Sequence, residues 1–214
     1  MATGTGAVAL RAARAGAEVT GADYAPGLIE TARRRAEEAG LAIRFDVGDA
    51  EELPYPDESF EVVSSSMGAI FAPDHAAVAR ELARLVAPGG RLGFTSWQPN
   101  TGFAAVMRKY MPPPPEEAGD PDDWGRKEYV ERMLGQSFTL AIEADTMSFE
   151  GESGEALWEL LTASVGPFRA TAESLEPDRR EEAHRDFVEH LEAHRTEGGI
   201  RFPGKYLLVA GVRR

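Results

Sequence analysis

The sequence predicts a doubly wound α/β fold built on a mostly parallel sheet, and three observations carry that prediction. A glycine pair, Gly4 and Gly6, opens a small-residue helix pattern at Ala7. Short apolar strand patterns then alternate with amphipathic helix patterns as far as Trp97. An acid, Asp23, closes the first complete strand seventeen residues after Gly6, where nucleotide-binding folds of this type grip a ribose.

In chain order, the first helix runs from Ala7 to about Ala15, with Gly16 as its left-handed stop. Ala17 to Asp23 reads as a strand. Pro26 suits the first position of a second helix that ends at Gly40, with Ile29, Ala32 and Ala36 on its inward stripe. Ala25 stands where a Ser or Thr would cap that helix, a lack expected to cost about 1 kcal/mol. Arg33, Arg34 and Arg35 read as a solvated face, because helical spacing spreads them and Glu37 and Glu38 balance them. Strands follow at Leu41–Val47 and Ser59–Ser65. Asp74 caps a helix with Val78, Leu82 and Leu85 at helical spacing, ended by a turn at Pro88-Gly89-Gly90 that launches the strand 91–96.

From Trp97 the alternation breaks. Phe103 to Tyr110 is a helix candidate, and Met111 to Pro115 is a stiff extended spacer. A helix is expected at Lys127–Leu134, a strand at Ser137–Ala144, helices at Ser153–Val165 and Asp178–Arg195, and a last, antiparallel strand at Lys205–Val212. The expected organisation is one domain over residues 1–214: a cofactor-binding half at 1–98, and 99–214 completing the sheet with a helical lid inserted at about 151–200. Trp158, Leu160, Leu161, Phe168, Phe187 and Leu191 would form the lid's apolar underside or, equally, a plain packing core. Right-handed crossovers put the strand C-termini on one edge, the ligand-binding edge of such sheets. No hydrophobic strand pattern precedes the glycine pair, so the first strand is expected to be missing or incomplete and the chain truncated at its N-terminus.

Composition removes several functional classes. A formal net charge of −13 disfavours nucleic-acid partners, which need Lys and Arg to displace counterions. The absence of cysteine excludes disulfides, thiolate metal sites and a cysteine nucleophile. No stretch approaches the roughly 20 apolar residues of a membrane span. Arg11, Arg14 and Glu18 interrupt the Ala-rich start too early for a secretory signal, so no membrane partner and a cytoplasmic location are expected.

Four anchors stand in order: Thr3-Gly4-Thr5-Gly6, Gly21-Ala22-Asp23, Gly48-Asp49-Ala50 with Leu53-Pro54, and Leu85-Val86-Ala87-Pro88-Gly89-Gly90-Arg91. Together they resemble a class I S-adenosylmethionine-dependent methyltransferase with a Rossmann-like sheet, of the type that includes the ubiquinone/menaquinone C-methyltransferases. The resemblance covers Ala2 to about Trp97 closely. It implies S-adenosylmethionine as cofactor, a small-molecule acceptor and no metal. Thr3, Gly4 and Gly6 would line the methionine half, Asp23 would accept the ribose hydroxyls, and Tyr24 would lie against the adenine. Asp49 would take the adenine amino group beside Ala50, and Ser64 to Met67, Ser65 and Ser66 foremost, would sit near the sulfonium.

The implied chemistry is in-line displacement at a methyl already activated by positive sulfur, so positioning and exclusion of water supply most of the rate. A base matters only if the acceptor must lose a proton. His75, beside Met67 and Phe71, is the candidate for that role, although an ordinary first-turn residue with no proton to move is the favoured reading. His190 and His194 stand four apart but lack a third ligand, and His184 shares their helix but not their face. Two other readings stay open. Gly4-x-Gly6-x-x-Ala9 with Asp23 also satisfies a dinucleotide fingerprint, hence an NAD-binding oxidoreductase. A non-catalytic methyltransferase-like remnant is the other.

Overall fold

Gly6, at φ 82°, turns the chain into α1 (Ala7–Arg14), which buries Ala9 and Leu10. The computed structural model describes residues 1–99, 101, 104–111 and 117–214. β1 (Thr20–Asp23) follows, then α2 (Pro26–Glu38), whose Ile29, Ala32 and Ala36 are buried as their spacing requires. β2 (Arg44–Val47) pairs in parallel with β1, Thr20 opposite Arg44 and Asp23 opposite Val47. Leu10, Ile29, Ala32 and Phe45 form the core between these helices and the two strands.

β3 (Phe60–Ser66) leads through a short 3₁₀ turn at Ala69–Phe71 into α3 (His75–Leu85), capped by Asp74, whose Oδ1 accepts from the Ala77 N–H at 2.8 Å. β4 (Val86–Trp97) begins at once after α3. The Pro-Gly-Gly segment therefore lies within a strand rather than ahead of one. It is accommodated as a break in register: Phe60 stands opposite Val86, whereas Val62 already stands opposite Arg91. β3 and β4 are parallel.

The rest of the chain supplies α4 (Ala104–Met107), α5 (Lys127–Leu134), β5 (Phe138–Gly151), α6 (Gly154–Ser164), α7 (Gly166–Ser174), α8 (Pro177–Glu192), β6 (Arg195–Thr196) and β7 (Gly199–Arg213). The second sheet runs β3-β4-β7-β5, with β6 antiparallel to β7. Among the described residues it shares no ladder with the β1–β2 sheet. Residues at the start of the chain touch both: the Met1 nitrogen donates to the Ser64 carbonyl at 3.0 Å and the Thr3 N–H to the Ala22 carbonyl at 2.9 Å. The expected proline spacer falls at Pro112–Pro115 and, like Phe103 of the expected helix, lies outside the described residues.

The chain divides into two compact units. The first comprises Met1–Ser96, Glu116–Glu143 and Leu207–Arg214; the second comprises Trp97–Pro115 and Ala144–Tyr206. In the second, α6 packs on α7 and α8, and Trp158, Leu161, Phe187 and Leu191 are buried together with Ile200 and Phe202. Leu160, expected on the same apolar stripe, is exposed instead. Among the described residues no helix is long and apolar enough to cross a membrane.

Leu82 of α3 is 0% exposed and Leu160 of α6 is 56% exposed. Leu82→Ala is expected to cost about 2–5 kcal/mol, and Leu160→Ala less than about 0.5 kcal/mol. Urea denaturation followed by circular dichroism measures both.

Candidate functional site

The site grows from the C-terminal end of β1. Asp23 is only 8% exposed, and a carboxylate so placed must be hydrogen-bonded. Its Oδ2 accepts from the Gly4 N–H at 2.8 Å and its Oδ1 from the Ala25 N–H at 3.0 Å. The second bond fixes the entry to α2 at its N-cap residue, and no side chain caps the helix's first turn, as expected of Ala25. The Asp23 carbonyl accepts from the Gly48 N–H at 3.0 Å, which brings the exit of β2 to the same place.

The glycine loop is drawn tight against this junction. Gly6 N–H donates to the Thr3 carbonyl at 3.0 Å. A Cβ on Gly6 would stand 3.2 Å from the Ala32 methyl and 3.3 Å from the Phe45 ring, and the positive φ is itself unfavourable to other residues. Gly4, at φ 55°, faces open space instead. Arg35 reaches from α2 to brace the loop, its Nη1 donating to the Thr5 carbonyl at 3.1 Å and to Thr5 Oγ1 at 2.8 Å. Arg33 donates to the Phe45 carbonyl at 2.5 Å. Two of the three arginines expected on a solvated face are thus spent on backbone carbonyls, because α2 lies close to both the loop and β2.

After β2 comes the turn that carries Asp49 and Ala50. Asp49 is exposed, and its Oδ1 accepts from the Glu51 N–H at 2.9 Å; Ala50 is half-buried. Tyr24 is 77% exposed and free to receive a flat ligand. The next stretch is clamped from behind. Glu81, buried on α3, accepts from the Leu53 N–H at 2.8 Å and from Arg84 at 2.6 and 2.8 Å. Arg84 also donates to the Leu53 and Tyr55 carbonyls at 3.0 and 2.6 Å and to Asp57 at 2.9 Å. Burial alone would raise the Glu81 carboxyl, but Arg84 and the Leu53 N–H outweigh it and hold it below the usual range. Tyr55 Oη donates to Asp46 Oδ2 at 2.9 Å, and burial with that carboxylate pushes the phenol well up.

At the end of β3, strand alternation separates the two serines. Ser66 is exposed, and Thr95 Oγ1 donates to its Oγ at 3.1 Å. Ser65 is 2% exposed and its Oγ accepts from the Ala69 N–H at 3.1 Å, so its side chain serves the 3₁₀ turn and not an open cleft. Met67 follows at φ 57°, and Gly68 lies directly against Ala2.

His75 does not open to this edge. It is 4% exposed, its Nδ1 sits 2.7 Å from Tyr129 Oη, its ring packs on Trp124 with centroids 5.3 Å apart, and the Gly119 backbone covers it. Burial pushes its pKa down against the opposing pull of Asp123, Asp120, the Ile70 carbonyl and Asp74. It is a core histidine, enclosed by rings and backbone and turned away from the strand-end edge. His190 and His194 pack against Phe202 in the second unit, at 5.3 and 4.8 Å between ring centroids. His184 pairs with Glu155 at 2.9 Å. A cleft of about 580 Å³ in that unit is lined by Trp158, Thr162, Leu175, Arg180, Glu181 and His184 among others, and by none of the residues expected to hold a cofactor.

Gly4, Asp23 and Gly48-Asp49 thus meet at adjoining C-terminal strand ends of the first unit, and the comparisons with known proteins bear on what such a meeting is for. Residues 1–94 match the family described as the methyltransferase domain. The demethylmenaquinone methyltransferase of Thermus thermophilus is 43% identical over 115 residues, which is 52% of this chain and 52% of that protein. The chain spans about half the length of the curated relatives it matches. Among solved structures, the YcgJ protein of Bacillus subtilis superposes with a TM-score of 0.67 at 20% identity, over 100% of this chain and 89% of that one. The geranyl diphosphate C-methyltransferase of Streptomyces coelicolor, solved with Mg2+, geranyl diphosphate and S-adenosyl-L-homocysteine, gives 0.57 at 17% identity, over 100% and 69%. These likenesses show the Rossmann-like methyltransferase fold.

The buried histidine generates a prediction on pH. An unfolded histidine takes a proton near pH 6.5, whereas His75 in the fold does so only at lower pH. Its contribution to stability is therefore complete above pH 6.5 and is lost as pH falls through the depressed value. Denaturant midpoints between pH 7.5 and 5 should fall less steeply in His75→Gln than in the parent chain.

Proposed function

We propose that the first unit binds S-adenosylmethionine and that the protein transfers its methyl group to a small, partly apolar acceptor. One observation carries the reading: the Asp23 carboxylate and carbonyl join the glycine loop to the turn bearing Asp49, within a stretch that matches the methyltransferase domain family. The residues fit the cofactor. Open space beside Gly4 admits close backbone approach, exposed Asp49 is an acceptor suited to an exocyclic amine, and exposed Tyr24 offers a flat face. When bound, S-adenosylmethionine supplies a methyl on a positive sulfur, open to in-line attack.

The chain's own residues then divide the work. Gly4 and Gly6, with Thr3 behind them, line the methionine half. Each Asp23 oxygen keeps one acceptor position beyond its backbone bond, and these take the ribose hydroxyls. Asp49 takes the adenine amino group, with Ala50 at the ring edge and Tyr24 across it. Ser66 and the Ser64 backbone, not the Ser65 side chain, stand nearest the sulfonium. With His75 sealed in the core, the site relies on orientation and dryness rather than on that imidazole for proton transfer. Names among the relatives, a demethylmenaquinone and a geranyl diphosphate methyltransferase, support an acceptor with apolar character.

The test is ligand binding by calorimetry and thermal shift. S-adenosylhomocysteine at about 100 times its Kd should stabilise the protein by about 2.7 kcal/mol, and Asp49→Asn should weaken its binding about tenfold. Stabilisation by NADH but not by S-adenosylhomocysteine would establish the oxidoreductase reading instead. Binding of neither would leave the non-catalytic remnant.

A further inference from the structure

Asp49 is exposed, and it lies on a turn with no regular structure of its own until β3 begins at Phe60. The Glu51 and Glu52 N–H groups fold onto Asp49, at 2.9 Å to its carboxylate and 3.2 Å to its carbonyl. Leu53 comes next, its side chain packed so close to Gly48 that a Cβ there would stand 3.0 Å from it. The Leu53 N–H is bound by Glu81 and its carbonyl by Arg84, while Arg84 holds the Tyr55 carbonyl and Asp57 with its remaining fork. Tyr55 in turn is tied to Asp46 of β2. The turn is thus stretched between β2 and α3, with both polar groups of the Leu53 backbone taken by one i, i+3 ion pair.

We propose that Glu81 and Arg84 are positioning residues that determine specificity for the adenine base, acting through the turn to hold Asp49 in register with the exocyclic amino group. The inference rests on the cofactor reading above. Neither residue faces the ligand: Glu81 is buried and Arg84 spends its guanidinium on Glu81, Asp57 and two carbonyls. Lysine cannot replace the fork, because an ammonium carries its donors on one atom, whereas here Glu81, Asp57 and the Leu53 and Tyr55 carbonyls are met by three separate nitrogens. A loosened clamp leaves Asp49 present and charged but no longer fixed, so the loss appears in discrimination between bases rather than in adenosyl binding as a whole.

The measurement is the ratio of affinities for S-adenosylhomocysteine and its deaminated analogue S-inosylhomocysteine, which offers a carbonyl where adenine offers an amine. Calorimetry is run on the full chain and on Arg84→Met, Arg84→Lys, Asp49→Asn and Leu82→Ala. In the parent, the ratio is expected to be about tenfold or more in favour of adenine. Both Arg84 variants are expected to lower it to within about threefold of the Asp49→Asn value. Leu82→Ala, which destabilises the same helix without touching the clamp, should leave the ratio unchanged. Should Arg84→Met fail to fold, Arg84→Lys decides. Arg84 variants that bind both ligands more weakly at an unchanged ratio would overturn the proposal. If the parent binds neither ligand, the cofactor reading has failed first.

Discussion

Asp23 is the joint on which the first unit turns. A carboxylate buried to this degree is unfavourable unless its oxygens are engaged, and here they are engaged by two backbone N–H groups. The Gly4 bond pins the glycine loop to β1, the Ala25 bond starts α2, and the Asp23 carbonyl pins Gly48. One residue at the end of a four-residue strand therefore sets three chain segments against one another. Remove the carboxylate, and the glycine loop and the start of α2 lose that reference point, while Gly48 keeps its bond to the Asp23 carbonyl.

Around that joint, the glycine loop and the turn after β2 are braced by residues of α2 and α3. Thr5 is held by Arg35 from α2, and the turn after Asp49 by Glu81 and Arg84 from α3. Arginine suits both positions, since a planar fork meets several carbonyl oxygens at once without being easily deprotonated. Ordering an exposed loop costs conformational entropy, and these bonds to the helices offset it before any ligand arrives. The second unit is built differently, with Trp158, Phe187 and Leu191 at its centre and Tyr110 donating to Asp186 at 2.5 Å beside Lys109.

The elements before Trp97 were legible because each answers to local chemistry. Pro26 at a helix start, Asp74 as a cap, and Ile29, Ala32 and Ala36 at helical spacing need no distant partner to be understood. Less legible was anything that depends on which side of a strand a residue occupies. Ser65 and Ser66 are chemically alike, yet one supports an interior turn and the other faces out. His75 shows the same limit, since its position after β3 suits a proton carrier while Trp124, Tyr129 and Gly119, far along the chain, enclose it. Glu81 did leave a trace: it stands three residues after Val78, on the stripe with Leu82 and Leu85, where a carboxylate demands a partner.

By itself, the sequence determined the alternation of strands and helices in the first unit, the glycine loop, and the two acids at successive strand ends. These follow from periodicity, backbone freedom and capping, which act over a few residues. The tertiary structure alone decided that Asp23 spends its first two hydrogen bonds on the protein, that His75 is sealed, that Pro88 to Gly90 lie within a strand, and that arginines on two helices hold the glycine loop and the turn after Asp49. Apart from the Ala25 bond, two positions from Asp23, those outcomes depend on atoms brought together from 19 to 54 positions apart, a separation over which spacing in the sequence carries no information about contact.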